Sequence, residues 1–303
     1  MAAIRVDADV LSAVLTGWLR DRTTSVPAGD AQSPTVIAVD GKAQRGARLS
    51  DGRQVHQLAA YDTGTGIVLA QVQIAAKSNE IPAFTPLLDR VLAQLGSLDK
   101  VLFVADALHA QTDHARQVAA RGAHLLIPVK GNQPTLFAQL KALPWAQVPV
   151  GDRRQETGHG RTETRTVKAV TAATPGGLGF PHAQQAVRIT RTRTIKGKTT
   201  REMAYLTVSL PAEQAQPADL GAWARSEWHI ENRVHYVRDV TLREDAHQAR
   251  TGNGPAVFAT LRNASIGYHR SNGETNIARA TRRANHRPHE LIDAVTRSNP
   301  TTQ

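Results

Sequence analysis

The order of apolar runs between residues 35 and 129 constrains the fold more than any other feature of the chain. Three β-rich runs come first, TVIAVDG, QVHQLAAYD and GIVLAQVQI, separated by turn-forming segments. Patterns typical of helices and of buried strands then alternate in IPAFTPLLDRVLAQLG, VLFVADA, QTDHARQVAARG and HLLIPVKG. Three closely joined strands favour an antiparallel meander, whereas the later αβ units favour parallel pairing. The order βββαβαβ therefore predicts a mixed sheet with helices on its faces.

The segments on either side predict a helix before the sheet and a β-rich insertion after it. Apolar spacing predicts an amphipathic helix over residues 9–20, with no obvious partner nearby, followed by a polar linker. Residues 135–220 are strand-like and rich in Arg and Thr, with a predicted hairpin that turns at Lys196-Gly197. Helical patterns return after the insertion. The predicted class is α/β, a ribonuclease H-like mixed sheet with flanking helices and a β-rich insertion before the last helices of the core.

The composition indicates a globular protein with a polyanionic partner. The 303 residues include 37 Lys and Arg against 26 Asp and Glu, a formal net charge of +11, which favours nucleic acid as the partner. With 41% hydrophobic residues, the chain is too apolar to be disordered. The absence of cysteine excludes disulfide scaffolds, zinc fingers and thiol nucleophiles. No apolar run is long enough for a membrane span, and we expect no membrane partner.

Two aspartates end predicted strands in the same way. Asp40 follows TVIAV and Asp106 follows VLFVA. Adjacent strands lie about 4.8 Å apart, so these carboxylates converge if the two strands are neighbours. A divalent cation such as Mg²⁺ would remove the repulsion between them. The alternative is that each aspartate caps the turn after its strand.

A third acid lies in the helical pattern near the C-terminus. Glu231, His235 and Arg238, at i, i+4 and i+7, are expected to share one helix face. Three carboxylates that hold two Mg²⁺ ions are the apparatus for in-line displacement at phosphorus. The alternative is an ordinary solvated face. Other acids compete for the role: Glu80, Glu163, Asp239, Glu244 and Asp245.

Basic and amide residues near the two predicted strand ends are candidates for contacts with a phosphodiester backbone. Lys42 lies two residues after Asp40, on the same strand face if the strand continues, and Arg45 lies just beyond it. A basic loop is the alternative for these two residues. Lys130 and Asn132 follow a predicted strand and equally fit a turn that starts the next helix.

Six blocks of the sequence together resemble one known family. They are IAVDGKAQRGA, AAKSNEIPA, VADALHAQ, PVKGNQPTL, GHGRTETR and EWHIENRVHYVRDVTLREDAHQAR, in the family's order. The chain resembles the DDE transposases of bacterial insertion sequences, in the ISAs-type branch, also called H-repeat-associated proteins. The resemblance implies a ribonuclease H-like catalytic domain with the acidic triad Asp40, Asp106 and Glu231. It also implies two Mg²⁺ or Mn²⁺ ions held by these three acids.

The resemblance further implies roles for residues around the third acid. The related group has the signature Y-x₂-R-x₃-E-x₆-K, which locates Glu231 as its acid and Arg238 at its lysine position. Its tyrosine and arginine are replaced here by Ala224 and Glu227. Arg225 is a candidate to replace the arginine. Contacts with DNA are proposed for Lys42, Arg45, Lys130, Asn132, Arg225, His235 and Arg238.

The resemblance also divides the chain into five segments. Family members have a helical N-terminal region, of which only the last helix is present here, so a truncated copy is expected. The expected segments are a remnant helix with its linker (1–33), the first part of the core (34–134), the β-rich insertion (135–220), the last core helices (221–270) and a loosely held basic tail (271–303).

The hypothesis that follows is a metal-dependent DNA transposase. Water would attack the phosphodiester at the end of the element, and the freed 3′-OH would attack target DNA. We expect double-stranded transposon ends and target as partners, a homodimer on DNA, and a cytoplasmic, nucleoid-associated protein. The alternatives are a stand-alone ribonuclease H-like nuclease, which cuts without joining, and a DNA-binding remnant without catalysis.

Overall fold

The computed structural model describes residues 5–23, 33–48, 52, 54–75, 78–158, 160–172 and 177–296. Most of the predicted linker between residues 21 and 34 lies outside the described residues. The chain forms two compact units. Unit 1 contains Met1–Ser33, Asp40–Ser97 and His229–Gln303, and unit 2 contains Pro34–Val39 and Leu98–Trp228.

Strands and helices follow one another in the predicted order. The strands are β1 Thr35–Arg48, β2 Gln54–Asp62, β3 Val68–Gln73, β4 Val101–Ala105, β5 His124–Val129, β6 Asp152–Gly158, β7 Arg161–Thr171, β8 Gln185–Ile195 and β9 Lys198–Val208. The helices are α1 Ala8–Thr23, α2 Phe84–Leu95, α3 Thr112–Ala120, α4 Pro134–Ala142, α5 Pro217–Ser226, the short turn α6 Trp228–Ile230, α7 Gly254–Ser271, α8 Ile277–His286 and α9 Pro288–Thr296. Short 3₁₀ helices occupy Ile81–Ala83, Ala107–His109 and Glu244–Ala246.

The sheet is mixed, as the order of the apolar runs predicts. In unit 2 the first five residues of β1 pair in parallel with β4, and β4 pairs in parallel with β5. The strand order in this unit is β1-β4-β5-β9-β8-β7-β6, and in unit 1 it is β3-β2-β1. The pairing of β2 with β3 is antiparallel. The predicted α/β class with a mixed sheet is therefore confirmed, and the order 3-2-1-4-5 is the ribonuclease H-like plan.

The β-rich insertion extends the same sheet. Strand β9 pairs antiparallel with β5, from Leu126 opposite Val208 to Val129 opposite Tyr205, and on its other side with β8. The predicted hairpin is confirmed, because Ile195 and Lys198 are partners across a turn at Lys196-Gly197. Both turn residues have positive φ, 48° and 76°, as a two-residue type I′ turn requires. At the base of the insertion, α4 contributes to a core formed by Val129, Leu136, Leu140, Trp145, Ala172, Leu178, Ala186 and Tyr205.

The helix predicted at residues 9–20 is confirmed as α1, and its partner is far along the chain. Trp18 stacks on Tyr268 of α7, with ring centroids 5.9 Å apart. A Cβ at Gly267 of α7 would lie 2.9 Å from Leu19 Cδ1, so glycine allows the two helices to approach closely. The Thr16 hydroxyl donates to the Val68 carbonyl of β3. Sequence distance explains why the partner was not apparent.

One expectation for the C-terminal part is wrong. The basic segment after residue 271 contains helices α8 and α9, where a loosely held tail was expected. Asn276 caps α8 by accepting from Arg279 N, and Ile277 and Ala280 are buried, which explains why this arginine-rich segment is helical. Helical structure returns after the insertion, as predicted, and is divided between α5, α6 and the π-helical turns that follow. Among the described residues, no helix is both long and apolar enough to cross a membrane.

Candidate active site

The parallel pairing of β1 with β4 fixes where the two candidate aspartates lie along their strands. Val39 is the Cα partner of Ala105, and the next residues in sequence after these two are Asp40 and Asp106. The buried residues before them, Ile37, Val39, Phe103 and Ala105, anchor both strands in the core. Each aspartate is partly exposed where its buried run ends.

Asp40 has a histidine neighbour within unit 1. His235 Nδ1 lies 3.4 Å from Asp40 Oδ2, and the side chains are 7% and 28% exposed. The other ring nitrogen, His235 Nε2, is buried and has no hydrogen-bond partner among the described residues. The ring therefore faces the Asp40 carboxylate. His235 was predicted to contact DNA, but at 6% exposure it is largely covered.

The residues that carry Glu231 and His235 are wound as a π-helix. Glu231–His235 and Val237–Thr241 are π-helical, with Tyr236 N donating to Glu231 O and Leu242 N to Val237 O, each five residues back. We call residues 231–241 the π segment. A π-turn contains more residues than an α-turn, so positions i, i+4 and i+7 do not align as in an α-helix.

The expected shared face of Glu231, His235 and Arg238 is consequently wrong. Glu231 is exposed, whereas His235 and Arg238 are buried, with Arg238 only 1% exposed. Ile230, Val234 and Val237 are all buried, so the apolar residues of this segment face the interior. The π-turns thus separate an outward-facing acid from two inward-facing basic side chains.

Lys42 is a buried ion-pair partner. Its Nζ lies 2.6 Å from Asp239 Oδ2 and 4.0 Å from Glu244 Oε1, and its side chain is 7% exposed. Strand β1 continues past Asp40 to Arg48, so the condition for Lys42 to lie on the same strand face as Asp40 is met. In this structure the charged end of Lys42 is covered and paired with a carboxylate, so it presents no free ammonium group at the surface.

Arg238 is likewise a structural partner. Its Nε donates to both carboxylate oxygens of Glu244, at 3.1 and 3.0 Å, and Nη2 lies 2.8 Å from Oε2. Nη1 donates to Asn263 Oδ1 of α7 at 3.3 Å, and Arg262 Nη1 lies 3.4 Å from Glu244 Oε2. With this set of partners, the guanidinium of Arg238 is held in the interior and is not presented at the surface of this structure.

Burial around Glu244 also affects neighbouring basic groups. Desolvation lowers the pKa of Arg262, and Glu244 partly offsets that effect. Desolvation also lowers the pKa of His247, with a further lowering from the charge of Arg262. The local environment thus disfavours additional positive charge.

Among the competing acids, Glu80 lies beside β1. Its carboxylate is 3.3 Å from His56 Nε2. A Cβ at Gly41 would collide with the Glu80 carboxylate and lie 2.8 Å from His56 Nε2, so glycine lets these two side chains approach the backbone next to Asp40. The sequence signal was available, because a glycine directly after an acid at a strand end indicates close approach of another group.

Three of the remaining acids have ion-pair partners, whereas Asp245 Oδ1 is buried without a hydrogen-bond partner among the described residues. Glu163 is buried in the insertion and pairs with Arg165 and Arg193. Asp239 and Glu244 pair with Lys42 and Arg238, as described above.

Asp106 starts a 3₁₀ helix that a second predicted residue supports. Its Oδ1 accepts from Leu108 N at 2.9 Å, which is the capping role named as the alternative. Asn132 Nδ2 donates to Ala107 O at 2.6 Å, so this side chain holds the backbone directly after Asp106. Lys130 is exposed.

Two further arginines predicted to contact DNA are exposed. Arg45 lies on the outer part of β1. Arg225 forms a bidentate pair with Glu156 of β6, in which Nη2 donates to Oε2 at 3.1 Å. This pair ties α5 to the edge strand of the insertion.

Comparison with known proteins identifies the family. The profile of the Transposase DDE domain matches residues 31–266. The chain belongs to the DDE transposase family. The predicted resemblance is thereby confirmed, and the matched region contains all three candidate acids.

Curated relatives of this DDE transposase include two from Escherichia coli. The putative transposase YncI of strain O157:H7 is 30% identical over 246 residues, which cover 76% of this chain and 60% of the relative. The H repeat-associated putative transposase YhhI of strain K12 is 29% identical over 268 residues, covering 82% and 66%. The chain thus spans between 60% and 66% of the length of these relatives.

The chain is also similar to solved structures, among them a transposase complex with DNA. The cryo-EM structure of the piggyBac transposase synaptic complex with hairpin DNA superimposes with a TM-score of 0.44 and 12% identity, covering 89% of this chain and 55% of that one.

Proposed function

We propose that this DDE family member catalyses metal-dependent cleavage of DNA at the ends of an insertion sequence and transfer of the freed strands to target DNA. The observation that carries the proposal is the register of β1 and β4, in which the two aspartates directly follow the paired residues Val39 and Ala105. Family membership supports the reaction class.

The donor chemistry fits a hard divalent cation. Asp40, Asp106 and Glu231 are at least partly exposed carboxylates. The lysine of β1, Lys42, pairs with Asp239 and not with Asp40. Carboxylate oxygens are the ligands that Mg²⁺ prefers. Among the described residues, no group of three or more His, Asp or Glu side chains is assembled to hold a metal ion. The proposed ligands would therefore complete the site on binding metal and DNA.

Bound Mg²⁺ or Mn²⁺ would supply activation of the attacking oxygen and stabilisation of the leaving oxygen. The chain's own contribution is to hold and orient the ligands. His235 faces the Asp40 carboxylate, and the Asn132 amide secures the turn that begins at Asp106. The segment that carries Glu231 also carries His235, so the contact with Asp40 brings this segment to β1.

The proposed partner is DNA. A homodimer of this chain would bind both the transposon ends and the target DNA. The net charge of +11 favours a polyanion. Arg45, Lys130, Asn132 and Arg225 are exposed and remain proposed DNA contacts.

The decisive experiment measures thermal unfolding with and without Mn²⁺, followed by cleavage of supercoiled plasmid. We expect Mn²⁺ to raise Tm through linkage, and the substitution Asp40→Asn to abolish both the rise and the cleavage. Asp113→Asn is the matched control, because Asp113 forms an exposed pair with Arg116 on α3. A wild-type protein that neither responds to Mn²⁺ nor nicks DNA would refute the proposal. A strand-joining assay then separates a transposase from a nuclease that only cuts.

A further inference from the structure

Two side-chain contacts connect β1 to the π segment side by side. Asp40 of β1 faces His235, and Lys42 of β1 pairs with Asp239. On the strand, the anchors are two residues apart and therefore lie on one face, separated by about 6.7 Å. On the π segment, the anchors are four residues apart. The two elements therefore meet at two matched positions, one of which contains a proposed metal ligand.

The contact between Lys42 and Asp239 is surrounded by further buried charged side chains. Both carboxylate oxygens of Glu244, which is 2% exposed, accept from Arg238 Nε, and Arg262 Nη1 also approaches this carboxylate. The Glu244 carboxylate also lies 4.0 Å from Lys42 Nζ. Three cations and two carboxylates, counting Asp239, thus form one connected set.

This set is also tied to α7 and β3 by neutral hydrogen bonds. Asn263 accepts from Arg238 and donates to Gln71 Oε1 at 2.9 Å. Gln71 in turn donates to Thr260 Oγ1 at 2.5 Å. Because Gln71, Thr260 and Asn263 are all buried, the π segment is fixed to the interior of unit 1 by a continuous polar network.

Stability alone does not explain this arrangement. A buried ion pair contributes little net stability compared with well-packed apolar residues, because removing charges from water is costly. What an ion pair adds is direction, since each partner must point at the other. The feature that depends on such a fixed orientation here is the neighbouring contact between Asp40 and His235.

We infer that Lys42, Asp239, Arg238 and Glu244 are positioning residues that hold the π segment on β1, so that His235 and the Glu231 backbone keep a fixed place relative to Asp40. They act through these neighbours and not by contact with DNA. The inference rests on the proposed function for the role of Asp40 in binding metal.

The test uses the full chain with two changes at this pair. Asp239→Asn removes one charge and keeps the shape. Lys42→Met with Asp239→Leu replaces both charges by apolar groups, which keeps the segment packed even where the single variant unfolds. Asp113→Asn is the control, an equivalent change at an exposed pair.

Two readouts separate positioning from simple stability. The first is the Mn²⁺ concentration that gives half of the Tm rise, and the second is the NMR signal of the His235 ring, which needs no metal. We expect the double variant to retain the Tm that the wild type has without metal. It should need at least about tenfold more Mn²⁺ to reach half of the Tm rise, which corresponds to a loss of about 1.4 kcal/mol in binding free energy. The NMR signal of the His235 ring should also shift. The control should match the wild type in both.

The two readouts distinguish failure of this inference from failure of the proposed function. If the wild type does not respond to Mn²⁺, the metal-dependent function fails, and the ring signal alone decides the positioning role. If the double variant matches the wild type in its ring signal, or needs no more Mn²⁺ where the wild type does respond, the inference is overturned.

Discussion

Single residues around Glu244 show how burial changes the role of a charged side chain. From sequence, Lys42 and Arg238 are basic residues near an acidic motif, and contact with DNA is the natural hypothesis. The structure buries both and gives each a carboxylate partner. Sequence could not reveal this, because the partners Asp239 and Glu244 were recognisable only as competing acids, and their pairing depends on tertiary contacts.

Removal of the Glu244 charge should be strongly destabilising. The substitution Glu244→Gln leaves the buried guanidinium of Arg238 without a carboxylate, and breaking such a pair costs about 3–5 kcal/mol. We expect that decrease in the free energy of unfolding, measured by urea denaturation. Glu202→Gln is the control, since Glu202 pairs with Arg191 but is 63% exposed, and a change below about 1 kcal/mol is expected. Equal losses in the two variants would contradict the role of burial.

Three histidines should make stability dependent on pH. Burial lowers the pKa of His124, His247 and His269 below the ordinary value of 6.5. The unfolded chain then binds protons on these rings at a higher pH than the folded chain does, so stability is complete above about pH 6.5 and declines as the pH falls. Tm should be lower at about pH 5.5 than at about pH 7.5, and His124→Asn should reduce the difference. A Tm that rises on acidification would contradict this assignment.

At the scale of elements, the sequence predicted what depends on local periodicity. Strands β1 to β5, helices α1 to α3 and the hairpin at Lys196-Gly197 all follow from the spacing of apolar and turn residues. The π segment did not follow, because Val234 and Val237, together with Ile230 just before the segment, also fit an α-helical stripe. The order of β5 and β9 in the sheet depends on a long-range pairing that no local pattern encodes.

The turn between β8 and β9 offers a test of local backbone preference. Lys196 has φ 48°, a left-handed conformation that lysine adopts at a cost. Lys196→Asn should raise the free energy of unfolding by about 0.5–1 kcal/mol, because asparagine tolerates this conformation, whereas Gly197→Ala should lower it by a similar amount. Urea denaturation of both variants measures the difference. A loss of stability in Lys196→Asn would show that the turn adopts a different type.

At the scale of the whole molecule, the excess of positive charge should dominate the affinity for DNA. We expect log K for a DNA duplex to fall linearly with log salt, with a slope of about −0.9 for each phosphate neutralised. Fluorescence anisotropy at several salt concentrations gives the slope. Arg45→Ala should make the slope less steep by about 1, whereas Lys42→Met should not change it, since Lys42 is buried. A flat salt response would argue against backbone contacts.

The shared strand β1 makes the molecule intolerant of any slip in hydrogen-bond register. Its first five residues align with β4, while the remainder, from Asp40 onward, belongs to unit 1. A shift by one residue sends every side chain of a strand to the opposite face. Insertion of a single residue ahead of Asp40 would move the acid into the place of Gly41, against Glu80, whereas deletion of one residue would put Gly41 in the place of Asp40. Either change would remove the acid from His235, so we expect an insertion or a deletion within this strand to abolish activity.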